Sequence, residues 1–346
     1  MSKYSGRARP NRSTLNDVAL LASVDRSVVS RVVNDDPKLN VRPETRQRVR
    51  DAIDELGYRP NAAARSLRTS RTYMYGLLIP DFANPVYAEI IKGAENAARG
   101  LGYGLMTTTA CDVRRGPDNY LDLFGQGRVD GLLLAGEDAD GAHDHLNPAP
   151  VPWLLVNRAV PNSRRYVVLD DERGGRLAVE HLLELGHRRI AHIAGPEITD
   201  TGQRRYAGYL GALRDAGLSA DPGLMVRADY TPAGGASALR GLLTAPDPPT
   251  AVFVANVASA VGALHTARTM GVSVPRELSV ITVHDMPLAA YLAPALTTVR
   301  MPLEELGRRA VQRLSSAAGD DPITEIVTGP IDLVRRESTA APAPGR

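Results

Sequence analysis

TLNDVALLASVDRSVVSRVVN, residues 14–34, decides the reading of this chain. Thr14 with Asp17 three residues later has the form of a capping box, and Val18, Leu21 and Ala22 fall on one face of the helix it opens. A break at Ser23-Val24 precedes Asp25, a good N-cap. The second short helix runs through Val33 and turns Val29, Val32 and Val33 inward, which leaves Arg26, Ser27, Ser30 and Arg31 outside. A polar loop, NDDPKLN (34–40), leads to Pro43, suited to the first turn of a third helix. That helix extends to about Leu56, with Val49, Ile53 and Leu56 apolar and Gly57 as its stop. Three short helices with a tight turn between the first two form a helix-turn-helix arrangement. In a major groove an arginine pairs with guanine O6 and N7, and serine suits phosphate. The same four side chains would also make an ordinary solvated face.

Charge weighs on the side of DNA. Residues 1–71 carry 15 Lys and Arg against 8 Asp and Glu, a net +7, while residues 72–346 carry 26 against 31, a net −5. A basic module on a mildly acidic body points to a polyanion partner at one end only. Residues 1–12 mix Gly, Pro, Ser, Asn and Arg and read as a disordered basic arm. Residues 13–59 are then the DNA-binding headpiece.

From Tyr73 the rhythm changes to strand-length apolar runs alternating with helices. MYGLLIP, YGLMTTT and DGLLLAG are followed by RIAHIAG, LMVRA, TAVFVAN and LSVITVH, with helices expected around 86–100, 117–126, 174–185, 204–216, 233–244 and 257–269. The phrases ARGLGYGL, LELGHRRIAHI and RTMGVSV echo one unit in both halves. Such alternation implies parallel sheets with helices on both faces, and two such domains side by side leave a cleft at the strands' carboxyl ends. Residues 336–346 read as a flexible tail.

Of 346 residues 43% are hydrophobic and 23% charged, values of a soluble globular protein. The single cysteine, Cys111, excludes an intrachain disulfide and fits a cytoplasmic setting. No apolar run is long enough to cross a membrane, and no secretory signal opens the chain. No P-loop, zincin, nucleophile-elbow or C-x-x-C motif is present, so neither an enzyme nor a cofactor is expected. His143-Asp144-His145 lies in GEDADGAHDHLNPAP (136–150) with no third ligand in sight and reads as a polar loop rather than a metal site.

The stretch 14–34, followed by VRPETRQRVRDAIDELGYRPNAAARSLRTSRT (41–72), resembles the headpiece and hinge of the lactose-repressor/galactose-repressor family of bacterial transcription factors. PDFANPVYAEIIKGAENAARGLGY (80–103), LVNR (155–158), LAVEHLLELGHRRIAHIAGP (177–196), RRYAGY (204–209) and LTTVRMP (296–302) continue the likeness through nearly the whole chain. It implies a periplasmic-binding-protein-like core over 73–335, made of two doubly wound subdomains with crossing strands. The first would hold about 73–169 plus 300–328, the second about 170–299 plus 329–335. The resemblance also implies a homodimer on a near-palindromic double-stranded DNA operator, controlled by a small-molecule effector, a sugar or sugar derivative.

Carried over by position, Arg26 and Ser27 match the family's base-reading pair, Arg31 its guanine-contacting arginine, and Asn34 the asparagine closing that helix. Thr14, Ser30, Asn61 and Ala64 join the DNA-contacting set. NAAARSL (61–67), within a hinge and linker at 60–72, matches the hinge helix, whose Leu67 would wedge into the minor groove. The alternative is that Ala62, Ala63, Ala64 and Leu67 are simply one face of a short surface helix; a helix of about eight residues is marginal alone in water, so it is expected to form only with DNA and the partner subunit. Three departures stand out: the usual turn Gly is Ser23, the usual recognition-helix Thr is Val28, and the usual cap before helix three is Arg42.

In the cleft, Arg205 matches the arginine that holds hydroxyls or a carboxylate in sugar-responsive relatives. Asp81 and Phe82 follow the first strand, and Phe82 offers a ring for stacking. Asn157, Asp170 and Asn256 occupy further strand ends. The familiar Asn-Asp is Asn256-Val257, and Thr282-Val283-His284-Asp285 stands for Gly-Tyr/Phe-Asp-Asp. His284 therefore replaces the acid that takes ligand hydroxyls, while Asp285 remains. Either the ligand is more anionic or less hydroxylated, or the site is rewired, or His284 pairs with Asp285 or a carbonyl as a structural group. The competing functions are a cytosolic solute-binding protein without specific DNA readout and a sugar-acting enzyme, the latter lacking any acid, base or nucleophile cluster.

Overall fold

A computed structural model describes residues 13–59, 66, 69–109, 127–135, 151–317 and 321–343. They divide into two units, Met1–Thr72 and Tyr73–Arg346. The expected helix around 117–126, Cys111, the 136–150 loop, the basic arm, and Asn61, Ala64 and Leu67 lie outside the described residues.

In the first unit, Thr14 caps α1 (Leu15–Leu21) in a full capping box with Asp17. Asp25 caps α2 (Arg26–Val33), and Pro43 opens α3 (Pro43–Glu55), which Gly57 ends at φ 56°. Their core gathers Val18, Ala22, Val29, Val32, Val49 and Ala52. One inward position differs from the periodicity reading. Leu21 is 45% exposed and Ala19 is buried instead. Ala19 and Leu21 flank the Val18–Ala22 stripe at about 80° to either side, so periodicity alone cannot choose between them. Packing on α2 and α3 takes the alanine side, where a small side chain permits close approach.

The second unit holds two six-stranded sheets. The first runs β11-β5-β4-β3-β1-β2 and is parallel throughout, built from β1 (Met74–Ile79), β2 (Gly104–Thr109), β3 (Gly131–Leu134), β4 (Trp153–Val156), β5 (Arg165–Leu169) and β11 (Ile323–Val327). The second runs β12-β10-β9-β8-β6-β7, from β6 (Ile190–Ala194), β7 (Met225–Arg227), β8 (Ala251–Val254), β9 (Ser279–Val283), β10 (Thr297–Arg300) and β12 (Asp332–Val334); only β12 is antiparallel. Central strands such as β3, β4, β6, β8 and β9 are buried at every residue, which is why they read as continuous apolar runs.

Six helices pair across these sheets: α4 (Val86–Gly100) with α9 (Leu303–Ser316), α5 (Asp171–Glu184) with α6 (Asp200–Asp215), and α7 (Pro232–Leu243) with α8 (Val257–Thr269). Each pair meets through glycine on both sides. A Cβ at Gly93 would lie 1.8 Å from Glu304 O, and one at Gly307 2.0 Å from Ile90 O. Gly208 against Glu172 O (2.2 Å) and Gly175 against Arg205 O (2.6 Å) repeat the device, as do Gly262 against Pro232 O (1.8 Å) and Gly235 against Ser259 O (2.0 Å). The unit echoed in the sequence is a different device: ARGLGYGL, LELGHRRIAHI and RTMGVSV each end a helix at a glycine in left-handed backbone, Gly102 (φ 77°), Gly186 (φ 98°) and Gly271 (φ 75°), before the next strand.

The chain crosses between sheets three times, from β5 into α5, from β10 into α9, and from β11 into β12. Helix α5 starts at Asp171, ahead of the expected 174, because Asp170 accepts the N–H of Arg173 and caps it there.

The expectation of a flexible tail is corrected over 336–343. Ser338 is wholly buried, its hydroxyl donating to Val280 O at 2.6 Å and accepting Thr297 N–H at 2.8 Å. Val280 N–H donates to Ser338 O, Ala340 N–H to Ser279 Oγ, and His181 Nε2 lies 2.9 Å from Thr339 Oγ1. Its Pro- and Ala-rich composition suggested fraying, but backbone and hydroxyl bonds to β9 and β10 hold it.

Candidate functional site

Two surfaces carry chemistry. On the first unit, Ser23 takes the turn between α1 and α2 in left-handed backbone, φ 51°. Arg26, Ser27, Arg31 and Asn34 are exposed and Ser30 is half-buried, so the residues expected to meet DNA form the outer side of α2. Val28 is half-buried and packs on the core beside Val29, which is where its methyl groups go in place of a hydroxyl. Arg31 Nε donates to Asp36 Oδ2 at 2.8 Å, and that bond, with one from Lys38 N–H, holds the Asp36 carboxyl below its usual range. An exposed ion pair of this kind contributes little, and a phosphate or a guanine can replace Asp36. Asn34 Nδ2 donates to Ser30 O and Asn34 closes the helix, while Thr14 is spent on the α1 cap.

The second surface lies where strand ends of the two sheets meet. Arg205, on α6 and 3% exposed, is its centre. Its Nε donates to Asp171 Oδ1 at 2.8 Å, its NH1 to Ala255 O at 2.8 Å, and its NH2 lies 2.7 Å from Asp171 Oδ1 and 3.3 Å from His284 Nε2. Arg204 binds the other oxygen of Asp171 at 2.8 Å and Asp200 Oδ2 at 2.7 Å, and donates to Leu169 O. Burial opposes the charge on Arg204, but Asp171 and Asp200 outweigh it and raise its pKa. Asp200 also accepts the N–H of Ala159 at 2.9 Å, joining the α6 N-terminus to the β4–β5 connection.

His284 is fully buried in left-handed backbone, φ 71°. Burial, then the Arg205 charge, lowers its pKa well below the usual value, so the ring is neutral. Asn157 at the end of β4 shares the left-handed geometry, φ 62°.

The remaining expected residues are otherwise engaged. Asp285 accepts from Thr298 Oγ1 (2.8 Å), Arg336 (2.7 Å) and Arg300 (3.2 Å), so it anchors the C-terminal segment. Asn256 caps α8 through Ser259 N–H and donates to Tyr230 O. Asp170 caps α5, and Asp81 accepts the N–H of Ala83 in an exposed turn beside exposed Phe82. Sequence reasoning missed Asp171, Asp200 and Arg204. For Asp171 and Arg204 the signal was the doubled Asp170-Asp171 and Arg204-Arg205, where only one member of each pair had been assigned; Asp200 had none. Among the described residues no three His, Cys, Asp or Glu side chains gather as metal ligands, and no helix is long and apolar enough to cross a membrane.

Both units match known families. Residues 14–61 match the profile of bacterial regulatory proteins of the lacI family, and residues 179–339 that of a periplasmic binding protein-like domain. The chain is 34% identical to catabolite control protein A of Priestia megaterium over 94% of this chain and 99% of that one. It is 37% identical to the ribose operon repressor of Escherichia coli (strain K12) over 87% of this chain and 92% of that one. The lac repressor dimer bound to operator and the anti-inducer ONPF superimposes with a TM-score of 0.82 at 28% identity, covering 96% of this chain and all of that one.

Proposed function

The chain belongs to the lacI family of bacterial regulatory proteins, and from that membership we propose that it is a sequence-specific transcriptional repressor whose operator binding is set by a small-molecule effector. The observation that carries the reading is one chain combining a helix-turn-helix, its second helix turning Arg26, Ser27 and Arg31 to solvent, with a two-sheet body. Two headpieces of a homodimer read half-sites of a near-palindromic operator in the major groove, and Leu67 enters the minor groove between them. Arg26, Ser27, Arg31 and Asn34 specify and position the contact. The work is cytoplasmic, and the reading assigns no catalytic step.

The effector, a sugar or sugar derivative, binds at the strand ends around Arg205, His284 and Asn157. Ligand shifts the operator equilibrium only by its preference for one state of the body. The Ala159–Asp200 bond, one contact between sheets, supports closure of this cleft as the moving part.

Selection of bound sequences from random duplex DNA by the purified protein tests the reading. A palindrome of about 14–20 base pairs with symmetric half-sites is the expected result. Uniform, salt-sensitive binding to every sequence would reduce the headpiece to a polyanion patch.

A further inference from the structure

Two buried polar atoms stand without a partner at the ends of β4 and β9. Asn157 is 7% exposed with its Oδ1 unbonded, and His284 is 1% exposed with its Nδ1 unbonded. Each residue gives its own N–H to the neighbouring strand, Asn157 to Val167 O and His284 to Val299 O, both at 2.9 Å, before the backbone turns left-handed. Both strand ends are tied to α6. Ala159, two residues beyond Asn157, is bonded to Asp200. Arg205, about 7.5 Å further along α6, touches His284.

The Arg205 contact fixes the tautomer of His284. A guanidinium only donates, so Nε2 is the lone-pair nitrogen and Nδ1 carries the hydrogen. His284 is therefore a neutral donor at the end of a chain running from Arg205 NH2 to Nε2 and out through Nδ1–H, with the positive charge behind it. Hydrogen bonds in such a chain polarise one another, and the best acceptor for the terminal N–H is an anionic oxygen.

Each carboxylate at the described rim has a partner, although the buried Asp171 Oδ2 has only the Arg204 charge at 2.8 Å and no hydrogen bond, and Asp81 accepts only the N–H of Ala83. Asp171 serves Arg204 and Arg205, Asp200 serves Arg204 and Ala159, Asp285 serves Thr298, Arg300 and Arg336, and Asp170 caps α5. Among the described residues this rim thus offers a ligand a buried N–H and an amide oxygen, while each of its carboxylates already answers a cation, a hydroxyl or a backbone N–H.

Resting on the effector cleft proposed above, we propose that the effector is an acid: a small hydroxylated carboxylate, a sugar acid rather than its neutral parent sugar. One carboxylate oxygen accepts from His284 Nδ1–H, and a hydroxyl of the same molecule donates to Asn157 Oδ1.

Calorimetric titration of the full-length protein with matched pairs tests this: glucose against gluconate and glucuronate, galactose against galacturonate, ribose against ribonate. At least one acid is expected to bind tenfold or more tightly than its parent. His284→Asp should reverse that preference by repulsion, while His284→Asn, which keeps a side-chain N–H donor, should retain it. Asn and Asp both tolerate left-handed backbone, and circular dichroism checks that each variant folds. A neutral sugar that binds more tightly than every acid overturns the proposal and leaves the cleft reading intact. Unchanged acid affinity in His284→Asp overturns it equally. If no compound of either kind binds or moves operator affinity, the proposal falls together with the cleft reading.

Discussion

Arg205 places Nε and NH2 on a single oxygen of Asp171, at 2.8 and 2.7 Å, with the two side chains 3% and 0% exposed. The sequence reading assigned Arg205 to the ligand, but most of its donors already have protein partners. Removing one member of a buried pair leaves the other charge uncompensated, which costs about 3–5 kcal/mol. Arg205→Ala and Asp171→Ala should each lose stability on that scale in urea unfolding. A loss below about 1 kcal/mol in either would show that the pair does not hold α5, α6 and β9 together. Effector response in these variants has to be compared at equal folded fraction.

Helix pairing by glycine makes a sharper prediction. Gly93→Ala puts a methyl group 1.8 Å from Glu304 O, which forces α4 and α9 apart, whereas Gly100 at the end of α4 has nothing within 4 Å. Gly93→Ala should destabilise by about 2–3 kcal/mol and Gly100→Ala should be near neutral. Thermal melts of the two variants side by side decide it, and equal midpoints would contradict the packing.

Ser23 holds φ 51° where a residue with a Cβ is disfavoured. Ser23→Gly should stabilise the headpiece by about 0.5–1 kcal/mol without changing operator affinity. Hydrogen exchange of α1 and α2 amides in the full chain reads this locally. Faster exchange in the variant would mean that Ser23 does more than turn the chain.

The particular residues show why some features were legible and others were not. Parallel strands buried on both faces appear in sequence as runs such as AVFV and SVITV, because both faces demand apolar side chains. Caps at Thr14 and Asp25 were equally visible, since each is a local bargain between one side chain and the next turn. Asp171 was not. It adjoins a cap residue of the same type, and only the approach of α6 from 34 positions away turns it into the partner of Arg205. Asp285 was misplaced for the same reason, as its partner Arg336 lies 51 positions on. Local patterns are written in sequence order, whereas the wiring of buried charge is not.

Ser338 is the strongest contradiction of a composition-based reading, and it is testable. Its hydroxyl bridges Val280 O and Thr297 N–H at 2.6 and 2.8 Å inside the protein. Ser338→Ala leaves a buried N–H and carbonyl unpaired, at a cost of about 1–3 kcal/mol. Trimming the chain after Gly329 should cost more. Differential scanning calorimetry of the three forms checks the order, and a stable form ending at Gly329 would return residues 336–343 to the status of a loose tail.

Stability should also fall in mild acid, and His192 supplies one measurable part. It sits in β6 stacked on Phe253 at 4.6 Å and Tyr209 at 5.1 Å between ring centres. Burial lowers its pKa from 6.5 to about 4, partly offset by the hydrogen bond from Nδ1 to Phe253 O. Above pH 6.5 folded and unfolded chains both carry the ring neutral, and the full stability is present. Between pH 6.5 and 4 the unfolded chain takes up a proton that the folded chain refuses, so unfolding is favoured by up to about 3 kcal/mol. His181, His187 and His284, also lowered chiefly by burial, act in the same direction. Carboxylates such as Asp285, held low against its burial by the Thr298 hydroxyl and then by Arg336 and Arg300, and Glu325, held low against its burial by Arg309 and Arg313, add a loss at the acid end that is common to any His192 variant. Urea midpoints of the protein and of His192→Leu at pH 7.5, 6.5, 5.5 and 4.5 isolate the histidine. The variant starts from a lower stability, having lost the Phe253 bond, but should show the shallower decline. Parallel curves for the two proteins would mean that His192 takes a proton in the folded state as readily as in the unfolded one.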